Sequence, residues 1–272
     1  MNRLNLGCLC VAVLASACAA REPLLITVPQ PGFRPASRVG DIDDYRTAVV
    51  TVAWIFERDL GFPPFPTTFR FYPDQQAFEH ALLEVGYDVE LARATARTMT
   101  AVGGHRGVLL NDGKFGLMEW PERVAMLAHE LGHGLQYELG GGRRGASDQW
   151  VREGFADWLS VRVLERLGGV SMGDVRRARQ RDLRGRRSAA PRLGELVTFP
   201  QWVRAGEKHG AAMYARSFLA VDLLLERHGL AAVVDYFKRF ASSDDRAGNF
   251  RAAFGEDPDA FETALNVRLS RR

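Results

Sequence analysis

Apolar residues recur along the chain with a spacing that changes several times. Behind Arg3, Leu6–Leu14 is an apolar run, followed by the small residues Ala15, Ser16 and Ala17. The run is too short to cross a bilayer as a helix and reads as the core of an export signal. Arg21–Gly40 is rich in proline and basic residues and shows no apolar period, which suggests a tether. From Asp44 the period becomes helical, with Val49, Val50, Val52, Ala53, Ile55 and Phe56 ahead of Gly61. Pro63, Pro64 and Pro66 stop that helix. Thr67–Tyr72 carries a β-type pattern, and Pro73-Asp74 opens a helix containing Phe78, Leu82 and Leu83. A further helix is expected near Val89–Met99, then a short strand at Val108–Leu110 between glycines. Trp120–Leu139 reads as a strong helix, with Pro121 in its first turn and Gly140–Gly142 at its end. Ser147 or Asp148 caps the next helix, which runs to Gly168-Gly169. Helical patterns continue through an arginine-rich stretch, His209–His228, Leu230–Phe240 and Pro258–Leu269. Strands early and helices late predict an α+β fold. The expected organisation is a signal over 1–17, a tether over 18–43 and one domain over 44–272. That domain would have a small mixed or antiparallel N-terminal sheet and a mainly α-helical C-terminal part.

Composition narrows the picture. The 272 residues are 46% hydrophobic and 25% charged, which excludes disorder and a disulfide scaffold as descriptions of the whole. All three cysteines fall in the first 18 residues, so a metal in the domain would need ligands other than thiolate. Ala15-Ser16-Ala17-Cys18 admits two processing readings. One is ordinary cleavage near Ala17 or Ala20. The other is a lipobox in which Cys18 becomes a lipid-bearing N-terminus; it is favoured by a cysteine at the cleavage point of a chain with none afterwards. The expected location is therefore the cell envelope, with a lipid anchor to a membrane.

The net charge is +3, but Arg176–Arg187 alone holds seven Arg and one Asp, or +6, leaving the rest at −3. No aromatics interleave with these arginines, so nucleic-acid binding through base stacking is not expected. The plain reading is a solvated helix and loop. His228 precedes Gly229 at a predicted helix end, where a cation is favoured in any case, and His105 and His209 carry no argument for a role beyond their residue type.

The chemistry concentrates in the Trp120–Leu139 helix. His129-Glu130-Leu131-Gly132-His133 is an HExxH motif, and two histidines four apart share one helix face. Their imidazoles can converge on one Zn2+, with Glu130 placed to reach a water on that metal. Nineteen residues separate His133 from Glu153, which stands within Trp150–Trp158, WVREGFADW. The glycine-rich loop from Gly140 to Gly145 is long enough to fold this helix back on the first. Glu153 then supplies a third ligand, and Asp157, one turn on, can hold a ligand imidazole through its second nitrogen. Carboxylates among Trp150, Phe155, Ala156, Trp158 and Leu159 are costly without such partners. Two His and one Glu leave a fourth zinc position open, the arrangement of catalytic rather than structural sites.

HELGH followed by WVREGFADW resembles the gluzincin metallopeptidases, most closely the peptidase-MA-like domains of exported bacterial proteins. FRFYPDQQAF at Phe69–Phe78, MYARSFLAVDLLLERHG at Met213–Gly229 and FRAAFGEDPDAFETAL from Phe250 also look like segments of that family. The resemblance spans roughly Tyr45–Leu269. It implies one Zn2+ per chain on His129, His133 and Glu153, with Glu130 as general base and Asp157 orienting His129. It further implies that Tyr214 donates to the oxyanion, that the substrate is a peptide or protein, and that Val108–Leu110 is an edge strand pairing with it. Two other classes fit the same residues. One is a zinc-containing binding or scaffold lipoprotein without turnover, for which Glu130 would have no use. The other is a zinc hydrolase acting on a non-peptide cell-wall amide.

Overall fold

The computed structural model describes residues 22–104, 107–143, 146–184 and 190–270. The signal, Cys18, His105, part of the Gly140–Gly145 loop and the end of the arginine-rich stretch lie outside the described residues.

The chain runs β1 (Leu24–Val28), α1 (Tyr45–Arg58), β2 (Thr67–Tyr72), α2 (Gln75–Glu84), α3 (Val89–Thr98), β3 (Ala101–Gly104), β4 (Gly107–Asn111) and α4 (Asp112–Phe115). It continues as α5 (Trp120–Leu139), α6 (Gln149–Arg166), α7 (Met172–Arg184), α8 (Phe199–His209), α9 (Ala211–Arg239), α10 (Arg246–Phe254) and α11 (Pro258–Ser270). The fold is α+β, with one four-stranded mixed sheet near the N-terminus and helices thereafter.

Helix starts follow local chemistry. The carboxylates of Asp44, Asp74 and Asp88 each accept from a backbone N–H three residues on, at 2.9, 2.9 and 2.8 Å. Each satisfies a donor that the first helical turn leaves without a partner. The helical period around His209–Phe240 is interrupted at Gly229, whose φ of 79° breaks α9.

The sheet order is β1-β2-β4-β3, with β2 and β4 parallel and the outer pairs antiparallel. Two expectations change here. Leu24–Val28, expected within the tether, is an edge strand paired with β2, with Ile26 and Val28 buried and Leu24 and Leu25 exposed. Its apolar run sits between Pro23 and Pro29, so neither alternation nor length marks it. Val108–Leu110, expected at an edge, is interior β4, flanked by β2 and β3. All five β4 residues are buried, as an interior strand covered on both faces requires. The edge on this side is β3, and it lies against α5.

That contact depends on a glycine. A Cβ on Gly103 would stand 2.3 Å from the carbonyl oxygen of Glu130 and 2.9 Å from its Oε2. Only a residue without a side chain lets β3 approach the HExxH helix so closely. On its other face α5 crosses α6, where Gly132 meets Ala156, and α6 in turn crosses α9, where Gly154 meets Ser217. Around this stack lie Leu127, Leu131, Leu135, Phe155, Val221, Phe237 and Phe250, all buried in one core.

Candidate metal centre

α5 and α6 bring His129, His133 and Glu153 together. One ligand atom from each lies within 4.8 Å of the others. His129 Nε2 stands 3.0 Å from His133 Nε2 and 3.4 Å from Glu153 Oε2, and His133 Nε2 stands 3.6 Å from Glu153 Oε1. Ligands at the usual 2.0–2.1 Å around a tetrahedral Zn2+ are about 3.3 Å apart, so the set has the right span.

The outer nitrogens explain the inner ones. His129 Nδ1 lies 3.0 Å from Asp157 Oδ1, and His133 Nδ1 lies 3.1 Å from Gln136 Oε1. Both partners are acceptor oxygens, which assigns each ring proton to Nδ1 and leaves a lone pair on each Nε2. Two lone pairs facing each other at 3.0 Å beside a carboxylate call for a cation between them. In the metal-free chain a proton on His129 meets that need. Burial works against a charged His129, but its bonds to Asp157 and Glu153 outweigh burial and raise its pKa well above the ordinary value. Burial likewise works against ionised Glu153, yet the adjacent His133 and His129 hold its carboxyl well below the ordinary range.

Two glutamines complete the support, and nothing in the sequence singled them out. Gln136 Nε2 donates to the Arg152 carbonyl at 2.8 Å, which fixes the amide that holds His133. Gln149 Nε2 donates to Glu153 Oε1 at 2.7 Å, while Gln149 Oε1 accepts from Arg152 Nη1 at 2.9 Å. Their signal was helical spacing alone: Gln136 follows His133 by three residues, and Gln149 precedes Glu153 by four.

Glu130 is buried with its Oε2 towards Gly103, which places its carboxylate between the ligand helix and the sheet edge. Tyr214, on α9, is half-buried, with its ring edge-on to Trp202 at 4.9 Å between centroids. Burial, then the charge of Glu153, pushes its phenol up, with smaller contributions from Asp157 and Glu130. It therefore stands within the field of the site's carboxylates.

Among the described residues no further histidine joins this group. His228 Nε2 pairs with Glu256 Oε1 at 3.1 Å, and His209 ends α8. The arginine-rich helix is less solvated than expected. Arg176 makes a bidentate pair with buried Asp222 at 2.6 and 2.7 Å, which docks α7 on α9. Arg179 Nη2 comes within 3.9 Å of Asp157 Oδ2, behind His129.

Comparison with protein-family models, curated proteins and solved structures gives no match for this chain.

Proposed function

We propose that the protein is an exported zinc metallopeptidase of the gluzincin kind, holding one Zn2+ on His129, His133 and Glu153. The observation that carries the reading is the facing pair of Nε2 atoms at 3.0 Å, with both Nδ1 atoms already engaged. When bound, zinc supplies a Lewis acid that polarises a carbonyl and acidifies water. Glu130 takes the proton of the attacking water and returns it to the leaving nitrogen. It is not among the grouped ligand residues, so a purely structural site would leave it without a task. Asp157 and Gln136 keep the two imidazoles in the tautomer that offers Nε2. Tyr214, kept neutral by its burial, donates a hydrogen bond to the carbonyl oxygen as that oxygen gains charge.

The outer side of β3 is a sheet edge beside Glu130. An extended peptide can add to such an edge through main-chain hydrogen bonds, which favours a peptide substrate over a compact non-peptide amide. Export and lipid anchoring rest on the residues up to Cys18; Cys18→Ser should release the protein from the membrane fraction or block its processing. The central experiment is metal analysis of purified protein together with digestion of a mixed peptide library read by mass spectrometry. About one zinc per chain and new peptide termini are expected. A full equivalent of metal in the His129→Ala, His133→Ala double variant would sink the site.

A further inference from the structure

We propose that a pocket on the His133 side of the site binds a carboxylate of the substrate through Arg143 and Arg152. This inference rests on the peptidase reading for its occupant. Gly103, Gly104, His133, Tyr137, Arg143 and Arg152 line the pocket, so it opens between the β3 edge and one proposed metal ligand. Among the described residues no carboxylate lines it, although the metal centre next to it holds Glu130, Glu153 and Asp157. Two arginines among its lining residues make it a place for an anion, and guanidinium matches carboxylate in shape as well as charge.

The two arginines are held in different ways. Arg152 Nη1 donates to Gln149 Oε1 at 2.9 Å, which ties it to the amide supporting Glu153. Arg143 Nη1 donates to the Phe240 carbonyl at 3.1 Å, and its Nη2 meets Asp244 Oδ2 at 2.5 Å. The carbonyl fixes the guanidinium, whereas the Asp244 pair is open to solvent, with 39% and 68% of the two side chains exposed. An ion pair so exposed adds little stability, and an incoming carboxylate can replace or join Asp244. A peptide lying along Gly103 and Gly104 would bring a neighbouring residue to the arginines. The carboxylate has two sources, an Asp or Glu side chain or the C-terminus of a short peptide.

The test is binding to full-length zinc-loaded Glu130→Gln protein, so that no turnover is needed. The probes are matched short peptides carrying Glu or Gln beside the expected scissile bond, each with a free or an amidated C-terminus. One charged peptide should bind at least roughly tenfold more tightly than its neutral match, as charge-assisted hydrogen bonds of this kind allow. Whether the Glu or the free terminus gives the gain identifies the source. Arg143→Gln added to that protein should remove most of the gain while leaving zinc content and melting temperature unchanged. Arg143 is the informative position, because Arg152→Gln also disturbs Gln149. Equal binding of charged and neutral peptides, no binding of any of them, or a gain that survives Arg143→Gln would overturn the subsite. Digestion of a peptide library by the wild type separates the two readings. Cleavage with no acidic or terminal preference sinks the subsite and leaves the peptidase standing. A charge-dependent affinity without cleavage of any peptide sinks the peptidase and leaves the subsite.

Discussion

A Cβ on Gly154 would stand 2.3 Å from the backbone carbonyl oxygen of Ser217, so α6 and α9 touch backbone to backbone one residue after the proposed ligand Glu153. The position of that carboxylate is thus set by a helix crossing that tolerates no side chain. The crossing of α5 and α6 is looser. A Cβ on Gly132 would meet Leu159 Cδ1 at 3.1 Å and Ala156 Cα at 3.4 Å, and the first of these is the end of a side chain that can move.

The two glycines should therefore respond differently to the same added methyl. Gly154→Ala forces α6 away from α9 and should cost about 1–3 kcal/mol, the usual penalty of overpacking. It should also weaken metal binding, because Glu153 moves with its helix. Gly132→Ala gains helix propensity of about 1 kcal/mol against a small shift of Leu159, and should be near neutral. Thermal unfolding of the two variants, with and without zinc, decides the matter. Equal melting temperatures would show that the crossing is softer than the distances indicate.

Much of the site was legible because it is written in helical spacing. His129 and His133 four apart, and Glu153 and Asp157 four apart, put each pair on one helix face before any fold is known. Other features carry no such mark. Gln136 and Gln149 are neutral amides, common on any helix, and become meaningful only beside a ligand. Leu24–Val28 reads as an apolar fragment among prolines until β2 is there to pair with it. Which of two adjacent short strands is the edge depends on β2 lying parallel to β4, a relation across 39 residues at Arg70↔Leu109 and its neighbours that local pattern does not encode. The arginine-rich helix looked solvated because Asp222, the partner of Arg176, lies far along the chain on α9.

Removal of the metal should make stability depend on pH in a defined direction. In the metal-free protein His129 has its pKa raised well above 6.5, so the charged ring contributes stability that is fully present below about 6.5. That contribution is lost as pH rises through the folded-state value. Glu153, depressed well below 4.5, contributes stability above about 4.5 that is lost only as pH falls through its lower folded value. Chelated protein should accordingly melt at lower temperature as pH rises from 6.5 into the alkaline range. Zinc takes the place of the proton, so loaded protein should not show this decline. A chelated protein whose melting temperature is flat over that range would mean that His129 is not charged there.

Glu130→Gln tests the base. The amide keeps the volume beside Gly103 but cannot accept a proton, so hydrolysis should fall by roughly 10²–10⁴-fold. Zinc content should stay at the wild-type level, since Glu130 is not in the ligand set. Wild-type turnover by this variant with zinc bound would show that the mechanism is wrongly assigned.

Asp157→Asn tests the support behind His129. An amide keeps an oxygen near Nδ1 but removes the charge and can turn its NH2 towards the ring. Metal affinity should fall by about 10–100-fold, the usual effect of losing a carboxylate that holds a ligand histidine. Competition with a zinc chelator measures this directly. Unchanged affinity would leave the 3.0 Å contact as packing without a part in the site.

Tyr214 separates chemistry from packing most sharply. Its ring is wedged edge-on against Trp202, and its helix contributes Met213, Phe218 and Val221 to the apolar interior. An aromatic in such surroundings needs no further reason to be there. The hydroxyl is different, because it lies in the field of Glu153, Asp157 and Glu130, which with burial raise its pKa and keep it a neutral donor. A neutral donor close to where negative charge would develop is what an oxyanion requires beyond a metal. Tyr214→Phe keeps the ring against Trp202 and deletes the hydroxyl, with the hydrogen bond it accepts from the Trp202 side chain. The variant should keep its zinc and its melting temperature while kcat falls roughly 10²-fold or more, with a much smaller change in KM, since the bond is made to the transition state rather than the substrate. Tyr214→Ala cannot serve as the test, because losing the ring opens a cavity and would lower stability for reasons of packing alone. If Tyr214→Phe turns over like wild type, the hydroxyl has no part in catalysis and the residue belongs to the α8–α9 packing.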